Sequence, residues 1–315
     1  MITVRASAVI VLLVTCASPA WAQFDRGRLE PLPTREPRIP FSQLDFLAAP
    51  HFSFKARALL SDPGRLLARP SAWSVEARLF APATDDLTVT ITLPLGIYDP
   101  GVPELRRAFF GNAAVGVVSG RRLRLAMSAA PAASVTVDVG GSFELHVPSA
   151  PRARPGPLAT TMTLMAAMRG YDVQLYLPRM FSGRVRGFAA ARFDALRVSA
   201  ELSVTPGTTV GQGSSRALIA GGAVWASYGL TSGIVPFIEL AGAAELLGAV
   251  DVQSPFTVTP GVRLHIAEAF DPAVFVSFNF DRDRAIVVGL DLARASRENA
   301  WFARRESFDD GFINF

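Results

Sequence analysis

The chain has one cysteine, Cys16, and three histidines, His51, His146 and His265, among its 315 residues. A lone cysteine excludes a disulfide framework. The histidines lie far apart and show no ligand spacing, so no metal site is expected. A G-x-S-x-G elbow, a P-loop and a paired-glycine dinucleotide fingerprint are all missing, which leaves no cofactor to expect. Charge imbalance is also small, with a formal net charge of +4. The high isoelectric point reflects an excess of arginine, and the basic residues do not interleave with aromatics as nucleic-acid binding requires.

Long apolar runs are scarce. The stretch Ala8 to Cys16 is too short for a transmembrane helix, which needs about 20 residues. Preceded by Arg5 and followed by Ala20-Trp21-Ala22, it reads as the core of a signal peptide over residues 1–22, cleaved near Ala22. Residues 217–238 run for 22 positions without a charge. That is long enough for a membrane helix, yet four glycines, Pro236 and a Leu-Thr-Ser-Gly turn suit a hairpin better.

What the chain does have is alternation. From Val274 to Leu292 the even positions Val274, Val276, Phe278, Phe280, Ile286, Val288, Leu290 and Leu292 are apolar. Ser277, Asn279, Gly289 and Asp291 occupy odd positions, and Asp281-Arg-Asp-Arg284 lies between. Side chains alternate faces along a strand, so this is a hairpin with one apolar and one more polar face. Keeping the apolar residues on one face across the turn calls for a loop of three or five residues. The same period recurs from His51 onward. Leu87, Val89, Ile91, Leu93 and Leu95 oppose Thr88, Thr90 and Thr92; Val135, Val137, Val139, Phe143 and Leu145 oppose Thr136, Asp138, Ser142 and Glu144. Segments of about ten residues with this dyad period, separated by turn residues, are the signature of a transmembrane barrel. A soluble sandwich would put more Lys and Glu on its polar face than the Thr, Ser, Gly and isolated charges seen here.

The expected fold is therefore all-β, an antiparallel up-and-down transmembrane barrel in the outer membrane of a Gram-negative bacterium. Counting candidate strands gives 14 with residues 171–177 and 13 without them, residues 112–118 and 121–129 being taken as separate strands. Even numbers are the rule when both termini share one side, so 12 to 14 strands are expected. Residues 158–168, rich in Met and Ala, predict a short helix in one long connection. The organisation expected is a signal peptide (1–22), a Pro-rich periplasmic leader (23–50), the barrel (51–293) and a polar tail (294–315). The terminal Phe315 is similar to the C-terminal aromatic read by the barrel-assembly machinery. Outer-membrane lipid, that machinery and a small-molecule solute are the partners expected of a monomer.

A charge facing lipid at mid-membrane costs about 2–4 kcal/mol, so the charges of the polar face should point into the lumen. These candidate lumen-lining or solute-binding residues are Lys55, Arg57, Glu76, Arg78, Arg122, Arg124, Asp138, Glu144, His146, Arg197, Glu201, Arg263, His265 and Asp291. Two roles stay open for them: filling a narrow barrel with paired charges, or lining a selective pore. Arg122 and Arg124 share a face with Asp138, Glu144 and His146 of the following strand, which places opposite charges side by side. His51 and Ser53 also share a face, an arrangement found in lipid A deacylase barrels. An outer-membrane channel for small solutes is thus the first reading; a lipid-modifying enzyme or a sealed structural barrel is the alternative.

Leu93-Pro-Leu-Gly-Ile97, a loop, Phe110-Gly-Asn-Ala-Ala-Val-Gly-Val-Val118 and the Arg-rich segment after it together resemble one family. It is the outer-membrane barrel family named for the meta-pathway of phenol degradation (MetA-like). The resemblance implies an outer-membrane channel, often assigned to uptake of hydrophobic or aromatic compounds, a family that carries no agreed catalytic residues.

Overall fold

The computed structural model describes residues 29–30, 51–60, 72–84, 87–98, 106–126, 134–151, 172–193, 196–210, 215–229, 234–248, 256–264, 270–280 and 286–295. The expected signal peptide, most of the leader and all of the expected tail except Arg294 and Ala295, which belong to the last strand, lie outside them, as do the helix expected at 158–168 and His265.

In chain order the strands are β1 (Leu29–Glu30), β2 (His51–Leu60), β3 (Ala72–Thr84), β4 (Leu87–Tyr98), β5 (Arg107–Phe110), β6 (Ala113–Ala126) and β7 (Ser134–Val147). They continue with β8 (Met180–Phe193), β9 (Leu196–Thr209), β10 (Arg216–Tyr228), β11 (Ile234–Gly248), β12 (Phe256–Leu264), β13 (Phe270–Asn279) and β14 (Ile286–Ala295). All 14 belong to one antiparallel sheet; β1 and β5 only extend it, and the other twelve close on themselves. Closure comes from the β14–β2 ladder, which runs from Ile286 opposite Leu60 to Ala295 opposite His51. The sheet bypasses β5 by pairing β4 directly with β6. Since His51 faces Ala295, the barrel begins and ends at the same rim.

Burial follows the predicted alternation. Along β9, Arg197, Ser199, Glu201, Ser203 and Thr205 are buried, while Leu196, Val198, Leu202 and Val204 are exposed. On β4, Thr88, Thr90 and Thr92 are buried, whereas Ile91 and Leu93 are exposed. An exposed leucine every second residue around a closed wall is costly in water and favourable in lipid, and the polar residues turn inward. The twelve strands of the closed wall are 9 to 15 residues long, enough for the tilted span of about 9–11 residues that a bilayer requires. The uncharged run 217–238 is divided between β10 and β11 as a hairpin, and Pro236 faces the outside of the wall opposite Val262.

The structure corrects two expectations. Residues 112–118 and 121–129 are not two strands, because β6 runs without a break from Ala113 to Ala126. Gly120 and Arg121 look like a turn, but the parity of Val115, Val117, Leu123 and Leu125 never changes across them, and Gly120 pairs opposite Gly140 of β7. Of the strand expected at 171–177, the described residues 172–177 form none. Asp172 precedes a 3-10 turn at Val173–Leu175, closed by Leu175 N–H to Asp172 O and Tyr176 N–H to Val173 O at 3.2 and 3.1 Å. Its apparent two-residue period is incidental, since Val173, Gln174, Leu175, Tyr176 and Leu177 are all buried. The β13–β14 ladder is described as far as Phe278 opposite Ile286, with the apolar faces matched, and the loop expected beyond it falls at residues 281–285, outside the described residues.

The outer surface supplies a test of orientation. Leu202 lies mid-strand on β9, 54% exposed, and Phe280 lies just beyond the end of β13, 63% exposed. Leu202→Arg should cost about 2–4 kcal/mol of folding free energy in lipid and Phe280→Arg about 0–1 kcal/mol. Urea titration in vesicles, read by heat-modifiable gel mobility, measures both. Equal costs would show that this face does not meet the bilayer core.

Candidate functional site

Residues 172–177, at the end of the β7–β8 connection, lie inside the barrel, and several of the lumen's charged residues gather around them. Gly111 and Asn112 receive them. Both ends of the Asn112 side chain are engaged, and its amide nitrogen holds the turn. Its Nδ2 donates to the carbonyls of Gln174 and Leu177 at 2.8 and 2.7 Å, and Oδ1 accepts from the Ala150 N–H at 3.1 Å. The Asn112 backbone N–H donates to Leu175 O at 2.6 Å. Gly111 has to be glycine, because a Cβ there would overlap Leu175 O. On the other side the Tyr176 hydroxyl lies 2.8 Å from Ser74 Oγ and reaches Leu95 O at 3.2 Å, and its ring meets Phe109 edge-on.

Asp172, at the start of the turn, sits between two arginines. Arg78 Nη2 of β3 donates to its Oδ2 at 3.0 Å, and Arg184 Nη1 of β8 pairs with Oδ1. Arg78 also pairs with Glu76. Arg184 binds Glu144 of β7 through both Nε (3.1 Å) and Nη2, and Glu144 takes Arg186 Nη2 at 3.2 Å. Arg186 Nη1 reaches Glu201 of β9 at 2.9 Å. Alternating acids and bases therefore cross the lumen without interruption, from Glu76 on β3 through Asp172 to Glu201 on β9. His146 stands beside this chain, its Nδ1 3.2 Å from Ser182 Oγ and its Nε2 3.8 Å from Glu144 Oε2.

Nine of the candidate residues can be placed directly. Glu76, Arg78, Asp138, Glu144, His146, Arg197, Glu201, Arg263 and Asp291 are all buried within the barrel. Five belong to or adjoin the chain just described. Arg263 pairs with Asp291 at 3.2 Å, and Arg197 lies 3.9 Å from Asp138, both outside that chain. The side chains of Lys55, Arg57, Arg122 and Arg124 lie outside the described residues, but their register is defined. Lys55 falls between Asp291 and Glu76, Arg57 between Gly289 and Ser74, Arg122 opposite Asp138 and Arg124 opposite Thr136. Arg122 can thus meet Asp138, whereas Glu144 and His146 lie further along β7, opposite Gly116 and Ala114 on β6 and Arg184 and Ser182 on β8. Glu144 takes its bases from β8.

The candidates read from the sequence do not include Asp172, Arg184, Arg186, Asn112 and Tyr176. Arg184 and Arg186 flank Val185 in Gly183-Arg-Val-Arg-Gly187, so the parity rule finds them once the strand is begun at Met180. Asp172 carries no such signal, because nothing in the connection reports which residues enter the barrel. Among the described residues no group of His, Cys, Asp or Glu is placed to hold a metal ion.

Glu144 and Arg184 share a buried pair within a larger network, so their contributions should not add. Glu144→Gln and Arg184→Met should each destabilise the barrel, while the double variant should lose less than the sum by about 0.5–3 kcal/mol. Urea unfolding in vesicles closes the cycle. Strict additivity would mean that the two side chains do not interact in the folded protein.

No family model matches the chain, and no curated protein matches it by sequence. Solved structures do match. An "outer membrane channel" of the COG4313 group from Pseudomonas putida F1 superposes with a TM-score of 0.54 at 12% identity, over 87% of this chain and 100% of its own. The NanC porin gives a TM-score of 0.44 at 6% identity and the KdgM porin 0.39 at 9%, each over 78% of this chain and 99% of its own. The chain has the fold of an outer-membrane β-barrel.

Proposed function

We propose that this protein is an outer-membrane channel for small solutes, constricted by the inward turn at Asp172–Leu177. The observation that carries this reading is the line of charges from Glu76 to Glu201. As a means of holding a barrel together, buried ion pairs are a poor choice. Desolvating the charges offsets much of their attraction, and well-packed apolar side chains of similar volume are often equally or more stabilising. A sealed barrel would be served as well by Leu and Phe. A lumen crossed by guanidinium and carboxylate groups instead offers polar partners to ions and solutes in transit.

In this reading the chain is exported, loses residues 1–22, and is inserted by the barrel-assembly machinery as a monomer surrounded by outer-membrane lipid. Membership of the MetA-like family would add hydrophobic or aromatic compounds to its solutes. The Gly111-Asn112 pair that carries part of that resemblance is also the pair that seats the inward turn.

The test is electrical. Purified barrels in planar bilayers should conduct, and Asp172→Ala, which detaches the turn from both Arg78 and Arg184, should raise the single-channel conductance. Folded barrels that pass no current, with or without Asp172, would establish a sealed structural barrel instead.

A further inference from the structure

The inward turn carries a carboxylate to a place where two arginines already converge. Arg78 stands on β3 and Arg184 on β8, with β4, β6 and β7 between them in the sheet. Each is held by an acid of the wall. Glu76 takes Arg78 Nε, and Glu144 takes Arg184 through Nε at 3.1 Å and through Nη2. A guanidinium is planar and rigid, so fixing one edge also fixes the direction of the donors that remain. Arg78 Nη2 and Arg184 Nη1 are such donors, and they meet Asp172 with one on each carboxylate oxygen.

Neither side of this contact needs the other to stay in place. Glu76 and Glu144 belong to strands and keep hold of both arginines when the Asp172 side chain is gone. The turn is also held through other atoms, by Asn112 Nδ2 on the carbonyls of Gln174 and Leu177 and by the Tyr176 hydroxyl at Ser74 Oγ and Leu95 O. Taking away the carboxylate alone leaves two buried guanidinium groups aimed at a space of carboxylate size. A buried charged donor stripped of its partner is costly, so a carboxylate from elsewhere is favoured there. Paired donors facing paired oxygens also select a carboxylate over an anion or amide that offers one acceptor.

We propose that Arg78 and Arg184 form a binding site for the carboxylate of an anionic solute, and that Asp172 is its resident occupant. The lumen around it is closely packed, and Asp172 is only 4% exposed. The site therefore takes an outside anion by exchange, in the space that the Asp172 side chain gives up, and needs no cavity beside it. As a step in transit this rests on the channel reading above, which it deepens by naming carboxylates as solutes. As a binding site it stands without that reading.

The experiment removes the resident carboxylate and supplies its equivalent. Asp172→Gly deletes a side chain that is acetate less one hydrogen. The full chain is unfolded by urea in vesicles at neutral pH, in sodium acetate, in sodium chloride of equal ionic strength, and in that chloride with acetamide. Acetate should raise the urea midpoint of Asp172→Gly above its value in chloride, saturating with concentration, and acetamide should not. The parent, whose site is filled, should show one midpoint in all three solutions, and adding Arg184→Met to Asp172→Gly should abolish the gain. Equal midpoints of Asp172→Gly in acetate and acetamide, or the same acetate gain in the parent, would overturn the inference. If Asp172→Gly folds too poorly to titrate, its folded yield by heat-modifiable mobility replaces the midpoint, and equal yields in acetate and acetamide overturn it. Single-channel recording keeps the two readings apart. Acetate rescue in barrels that pass no current leaves the site standing and defeats the channel, whereas a conducting parent whose Asp172→Gly variant ignores acetate defeats the site alone.

Discussion

Every other property of this protein depends on one constraint: inside a bilayer no backbone N–H or C=O can be left without a partner. A sheet meets that demand only by closing, and the β14–β2 ladder closes it here with a pair at each position from His51 to Leu60. Closure separates side chains into those that see lipid and those that see only one another. Leu93, Val115, Leu202 and Val274 can stand exposed because lipid receives them, and Arg186, Arg263 and Asp291 can be buried because the lumen gathers their counter-charges. The two patterns are one consequence, since the side-chain period of two allows no third choice.

Within the lumen, the arrangement of charges is decided by what the wall cannot supply. Acids and bases on neighbouring strands pair where the register permits, as Arg186 does with Glu144 and Glu201. β3 and β8 are not neighbours, and Arg78 and Arg184 are joined only because Asp172 enters between them. The turn thus acts as an additional element of the lumen, contributing one carboxylate to two arginines. Removing a single member of such a chain leaves others partnered, which makes its energetics collective.

Much of this was legible in the sequence because a strand exposes its environment residue by residue. Glu76, Asp138, Glu201 and Asp291 declare themselves lumen-facing by standing between apolar neighbours. The same rule failed where the environment is uniform. Val173, Leu175 and Leu177 alternate with residues that are equally buried, so the period carries no information about a strand. It also failed to reject a turn at Gly120, where two glycines facing each other across β6 and β7 imitate the composition of a loop. Pairings between distant elements, such as Arg78 with Asp172, cannot be read from local pattern at all.

The seating of the turn has a kinetic side. Asn112 and the carbonyls it holds are 62 and 65 residues apart in the chain, and Arg78 and Asp172 are 94 apart. Contacts of such separation form only after the intervening strands have given up their freedom, because the entropy of loop closure precedes any reward. The receiving surface itself, made of β3, β4 and β8, does not exist until those strands stand side by side. Hairpins such as β10–β11 can zip locally, but the turn has to wait for a wall to dock against. Its docking therefore depends on contacts that only the assembled wall provides.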